Sequence, residues 1–134
     1  MITILTFILI TVIVTTTAYF INTFVYAKSK DYSVIAAAVV EETLKTIGGL
    51  IAGSILYLHI TFGVIEALTE IKIKERVSVL PAIFSILGHT AFGYITITVY
   101  RLTGNVFYGI LSGIFSHIIY NSLVIGLVNS IKKP

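Results

Sequence analysis

The residues able to do chemistry in this chain are few. They are Glu41, Glu42, Lys45, His59, Glu66, Glu70, His89, His117 and Asn121, and each falls within an otherwise apolar stretch. A carboxylate shielded from water can act as a general base on an attacking water. An imidazole or amide nearby can hydrogen-bond the oxyanion that forms. Two histidines and a glutamate, here Glu66, His89 and His117, are also donors that suit zinc if the protein is a metalloenzyme. A layer of Glu and His can equally hand on protons. The HExxH helix motif of zinc peptidases is absent, and with no Cys there is no thiolate nucleophile or Cys-ligated metal.

The elements that carry these residues must be membrane helices. Of 134 residues, 57% are hydrophobic and only 11% charged, and mean hydropathy is +1.02. A soluble domain carries about 25% charged residues to cover its surface. Nine Lys+Arg and six Asp+Glu are too few for that, and a net charge of +3 without a basic stripe does not suit nucleic acid. The composition implies an all-α, polytopic membrane helix bundle, a single transmembrane domain over residues 1–134, in contact with the lipid bilayer.

About 20 mainly apolar residues span a bilayer. The first candidate, Ile2 to Val25, is uncharged and closes at Lys28, Lys30 and Asp31. It lacks the positive n-region and A-x-A-like site of a signal peptide, so it reads as a retained helix. Tyr32 to Ile71 contains no Pro and no charged loop. As one helix it would be about 60 Å long, twice the hydrocarbon thickness. It must fold back, and Gly48-Gly49-Leu50-Ile51-Ala52-Gly53-Ser54 is the expected break. That gives helices over Ser33–Ile47 and Ile55–Ile71. Two more follow, over Val79–Tyr100, with Pro81 in its first turn, and over Val106–Ile131. Five spans put Lys28, Lys30, Lys72, Lys74, Arg76, Lys132 and Lys133 on one side and Arg101 alone on the other. The positive-inside rule then implies a cytoplasmic C-terminus and an external N-terminus in the plasma (cell) membrane.

A charge at mid-membrane costs about 2.5–3.5 kcal/mol, so such residues are expected to face the bundle interior. Counting from the basic anchors at 1.5 Å per residue puts Glu42, His89, His117 and Asn121 roughly 16–22 Å deep, with Glu66 just below that layer. Simpler roles are also open. Glu41 and Glu42 could merely pair with Lys45 one turn on. His117 and Asn121 could be interhelical hydrogen-bond glue. His59 reads as a packing residue and Glu70 as solvated. In the last helix Gly109, Gly113, His117 and Asn121 recur every four residues, so the small face that lets helices approach also carries the polar pair. Gly93 follows His89 at the same interval.

Four motifs occur in order on four successive helices: Glu41-Glu42-Thr43-Leu44-Lys45, Phe62-Gly63-Val64-Ile65-Glu66, Gly88-His89-Thr90-Ala91-Phe92-Gly93-Tyr94 and His117-Ile118-Ile119-Tyr120-Asn121. As EExxK, FxxxE, a His followed by small and aromatic residues, and HxxxN, they resemble the PrsW-type intramembrane proteases. These belong to the superfamily of CAAX-prenyl proteases and bacteriocin-processing enzymes, to which the non-catalytic APH-1 subunit of gamma-secretase is related. The resemblance covers about residues 33 to 128. It implies peptide-bond hydrolysis within the membrane on a membrane-embedded or membrane-proximal peptide or protein. Glu41 would be the general base, Glu66 and His89 would assist it, Glu42 would support it, and His117 and Asn121 would donate to the oxyanion. It leaves open a zinc at Glu66, His89 and His117, a scaffold role beside partner membrane subunits or in a homo-oligomer, and proton or ion handling.

Overall fold

The computed structural model describes residues 3–30, 32–73 and 79–131, with side chains described throughout except at 70, 72–73, 79 and 125–131. The basic clusters at 72–76 and 132–133 and the solvated reading of Glu70 therefore lie outside the described side chains. Among the described residues the chain is an all-α bundle of five helices: α1 (Ile4–Lys28), α2 (Ser33–Ile51), α3 (Ile55–Ile73), α4 (Val79–Thr103) and α5 (Val106–Ile131). Among the described residues three stretches are long and apolar enough to cross a membrane: Ile4–Lys28, Leu80–Thr103 and Val106–Val124. The protein is thus an integral membrane protein. Helices α2 and α3 have 19 residues each. At 1.5 Å per residue that is about 28 Å, close to the hydrocarbon thickness.

Helix α1 starts at Thr3, whose hydroxyl accepts from the Thr6 amide at 3.2 Å. The break between α2 and α3 comes later than the glycine cluster suggested. Helix α2 runs through Gly48 and Gly49, and the chain reverses at Ala52-Gly53-Ser54, with Gly53 at φ +76°. Gly48 and Gly49 serve closeness instead. A Cβ on Gly48 would lie 2.7 Å from Val14 Cγ2 of α1, and one on Gly49 would lie 2.5 Å from the Ile55 Cα of α3. The α4–α5 connection reverses at Gly104, φ +67°, and Asn105 caps α5 by accepting from the Phe107 amide at 2.9 Å.

Helix α2 is the hub, packing on α1, α3 and α5, while α4 packs on α3 and α5, and α1 touches α3 only lightly. An apolar cluster of Val14, Ala18, Leu58 and Phe62, flanked by Phe7, Ile10, Val40 and Leu44, joins α1, α2 and α3. The α3–α4 pair meets through reciprocal contacts. A Cβ on Gly63 of α3 would sit 3.0 Å from His89 Cβ, and one on Gly93 of α4 would sit 2.7 Å from His59 Cβ. Each histidine therefore lies against the other helix's glycine. This close approach draws two imidazoles into the interior rather than toward lipid.

Candidate functional site

The middle of the bundle holds an unusual quantity of charge for a membrane interior. Glu42, Lys45 and His59 are each 0% exposed, and Glu41, His89 and His117 are buried as well. Isolated charges would be prohibitive there, and they are tolerated because each is paired.

Helix α2 presents Glu42 toward α3 and α5. Glu42 Oε1 accepts from Lys45 Nζ at 2.6 Å and from His117 Nδ1 of α5 at 2.9 Å, and Oε2 contacts His59 Nε2 of α3 at 3.0 Å. Gly113 of α5 makes room for this carboxylate, since a Cβ there would lie 2.9 Å from Glu42 Oε2 and 2.5 Å from Thr96 Oγ1. The other ring nitrogen of His59 lies 2.9 Å from the Ile55 carbonyl. Both His59 nitrogens thus face acceptors, and the ring ties Glu42 to the backbone of α3. The packing role expected of His59 is present, and the residue also belongs to the polar network.

Lys45 makes two hydrogen bonds and one longer ion pair. Beyond Glu42 it reaches His89 Nδ1 at 2.9 Å and Glu41 Oε2 at 3.7 Å, and its Nζ lies 4.7 Å from the centre of the Phe62 ring. An ammonium only donates, so His89 Nδ1 accepts and its proton sits on Nε2. His89 Nε2 accordingly donates to Glu66 Oε2 at 2.7 Å, and the same oxygen takes the Ser85 hydroxyl at 2.7 Å. Glu66 keeps 42% of its side chain exposed. The EExxK lysine and the FxxxE phenylalanine are joined by this cation–π contact, which no residue count along the chain displays.

A cavity of about 310 Å³ lies beside this network, and Glu41, Glu66, His89, His117 and Asn121 all line it. Its wall runs to Tyr26 and Ser33, at the end of the bundle that carries Lys28 and Lys30. Five of the six residues expected to form a site thus share one chamber. The sixth, Glu42, stands behind them, holding His117 and Lys45.

Helix α1, which the motifs leave without a role, contributes Asn22. Its amide donates to Glu41 Oε1 at 2.8 Å. Glu41 Oε2 and Asn22 Oδ1 are buried without a hydrogen-bond partner among the described residues. Asn22, Glu41 and Glu66 also line a second cavity of about 220 Å³ between α1 and α3, with Thr15, Tyr19 and Thr69. Sequence reasoning passed over Asn22 and Ser85. The available signal was an amide inside an uncharged apolar span.

Donor type suits zinc, but the arrangement does not. His89 has one nitrogen against an ammonium and the other on Glu66, so it offers no free lone pair to a metal. Among the described residues no group of three His, Asp or Glu side chains is placed to hold a metal ion.

No protein-family model, curated protein or solved structure matches the chain.

Proposed function

We propose that this protein is an intramembrane peptidase of the PrsW type, hydrolysing a peptide bond of a membrane-embedded or membrane-proximal substrate in the 310 Å³ cavity. The observation that carries the reading is the orphaned Glu41 Oε2, buried and without a hydrogen-bond partner among the described residues, in a wall shared with Glu66, His89, His117 and Asn121. A buried acceptor of this kind calls for a donor, and a water molecule is the smallest one. Asn22 fixes the other oxygen of Glu41, so the carboxylate is preorganised to hold that water. The resemblance gives Glu41 the water's proton as well. Asn121 lines the same cavity and makes no side-chain hydrogen bond among the described residues, so its amide can meet the oxyanion. The mouth faces the cytoplasm in this reading, with the N-terminus outside and the protein in the plasma membrane, because Lys28 and Lys30 mark that end.

The test is cleavage of transmembrane peptide reporters by purified protein in proteoliposomes. Wild type is expected to cut at least one reporter. Glu41→Gln is expected to slow cleavage about tenfold or more at unchanged melting temperature, because Gln keeps the shape and loses the charge that orients water. Absence of cleavage by wild type across the reporter set would overturn the peptidase reading. An assembly with partner subunits lost in Glu41→Gln would then point to a scaffold.

A further inference from the structure

The hydrogen-bond partners of His117 fix where its proton sits. Glu42 Oε1 lies 2.6 Å from the Lys45 ammonium and 2.9 Å from His117 Nδ1. An oxygen that already accepts from an ammonium has no proton to give, so Nδ1 is the donor. This holds whichever nitrogen of His59 carries its proton. In the neutral ring Nε2 then carries a lone pair. Nε2 has no protein partner among the described residues and is not among the orphaned buried atoms, while His117 lines the cavity. The ring cannot easily turn over, because it stacks on Phe92 with centroids 4.7 Å apart and planes at 19° and stands edge-on to His89. A neutral ring so held is an acceptor toward the cavity and has no N–H to offer an oxyanion there.

We propose that His117, oriented by Glu42, takes the proton from the attacking water and does not serve the oxyanion. The proposal rests on the peptidase reading and, within it, moves the proton transfer from Glu41 to His117 and leaves His117 no part in holding the oxyanion. Glu41 Oε2 holds the water. The water oxygen bonds to the scissile carbonyl carbon as the carbonyl π electrons move onto oxygen, and one water proton passes to His117 Nε2. The new imidazolium charge forms beside the Glu42 carboxylate, which stabilises it. On collapse the C–N bond breaks and the proton on Nε2 goes to the leaving nitrogen. One water and one amide give one acid and one amine, and His117 returns to its neutral form. The oxyanion is left to Asn121.

Two measurements test this. The first is ¹⁵N NMR of the histidines in the wild-type protein, which has only three. His117, assigned by the signal lost in His117→Gln, is expected with a proton on Nδ1 and none on Nε2. His89 is expected as the opposite tautomer. A proton on Nε2 of neutral His117 would overturn the proposal. The second is reporter cleavage by His117→Gln and by His117→Gly with added imidazole. The Gln amide reaches the position of Nε2 and can still donate, but it cannot take a proton. A proton-acceptor role predicts a loss in kcat of about 10²–10⁴-fold in His117→Gln and partial recovery of His117→Gly by imidazole. Cleavage within about tenfold of wild type in His117→Gln would mark an oxyanion donor and sink the proposal, leaving the peptidase reading intact. A wild type that cuts no reporter fails both. Should His117→Gln not fold, the wild-type spectrum, assigned through His89→Gln and His59→Gln, decides the tautomer.

Discussion

Lys45 is the residue on which the charge balance of the interior turns. Its ammonium meets Glu42, His89 and the face of Phe62, and it sits within 3.7 Å of Glu41. Removing it leaves Glu42 facing only histidines and leaves His89 without the donor that sets its tautomer. Losing one partner of a buried pair costs about 3–5 kcal/mol. We expect Lys45→Met to lose about that much in denaturant unfolding in detergent, whereas Lys28→Met, at an exposed helix end, should stay within about 0.5 kcal/mol. At the cavity, Asn121→Ala should raise the barrier by about 2.7–4 kcal/mol, read as lower kcat on a cleaved reporter with the melting temperature held. The pairing of Lys45 with Glu41 and Glu42 was legible in the sequence, because i,i+3 and i,i+4 spacings are set by the helix itself. The contacts of Asn22 with Glu41 and of His59 with Glu42 were not. They depend on how α1 and α3 are rotated against α2, and spacing along one helix carries no information about rotation between two.

At the scale of elements, glycine had two meanings that composition does not separate. Gly53 turns the chain, as its φ of +76° requires, while Gly48 and Gly49 stay helical and bring α1 and α3 against α2. The expected break therefore lay in the right segment but began too early, and α2 extends to Ile51 instead of Ile47. The starts of α2, α4 and α5 were legible because polar segments precede them, and that of α3 because a glycine-rich segment does. Helix α1 runs three residues past the expected Val25 to Lys28. Its aliphatic stem continues the apolar helix while Nζ lies 5.8 Å from the Phe24 ring centre. The face of α5 was read correctly from its four-residue period. Gly113 abuts Thr96 of α4 and Glu42 of α2. Gly113→Leu should accordingly lower the melting temperature by several degrees or prevent folding, since the displaced groups are the buried Thr96 hydroxyl and the Glu42 carboxylate. Ile119→Leu, at a position 59% exposed, should leave it unchanged. Equal melts for the two would mean that α5 packs by another face.

For the whole molecule, composition alone separated a membrane bundle from a soluble domain, and the five-helix count followed from where the apolar runs break. Orientation rests on the basic end. Cysteines placed by Lys30→Cys and Ser54→Cys stand at opposite ends of α2, and an impermeant thiol reagent should reach Ser54→Cys from outside and Lys30→Cys only after the membrane is opened. Labelling of both from one side would remove the assigned topology. The turn at Ala52-Gly53-Ser54 has a consequence for how the chain enters the bilayer. Helix α2, with Glu41, Glu42 and Lys45, is not among the stretches apolar enough to cross a membrane. The translocon would therefore reject it as a lone segment. Three residues of turn are too short for α3 to partition into lipid while its neighbour waits in water. The two helices must leave the translocon together as a hairpin, with the Glu42–Lys45 pair already closed and α3 supplying the apolar surface. A glycosylation-mapped chain ending soon after Ser54 should leave α2 on the cytoplasmic side with a site at Ser54 unmodified, and one extended through α3 should carry both helices into the membrane and bring that site to the lumen.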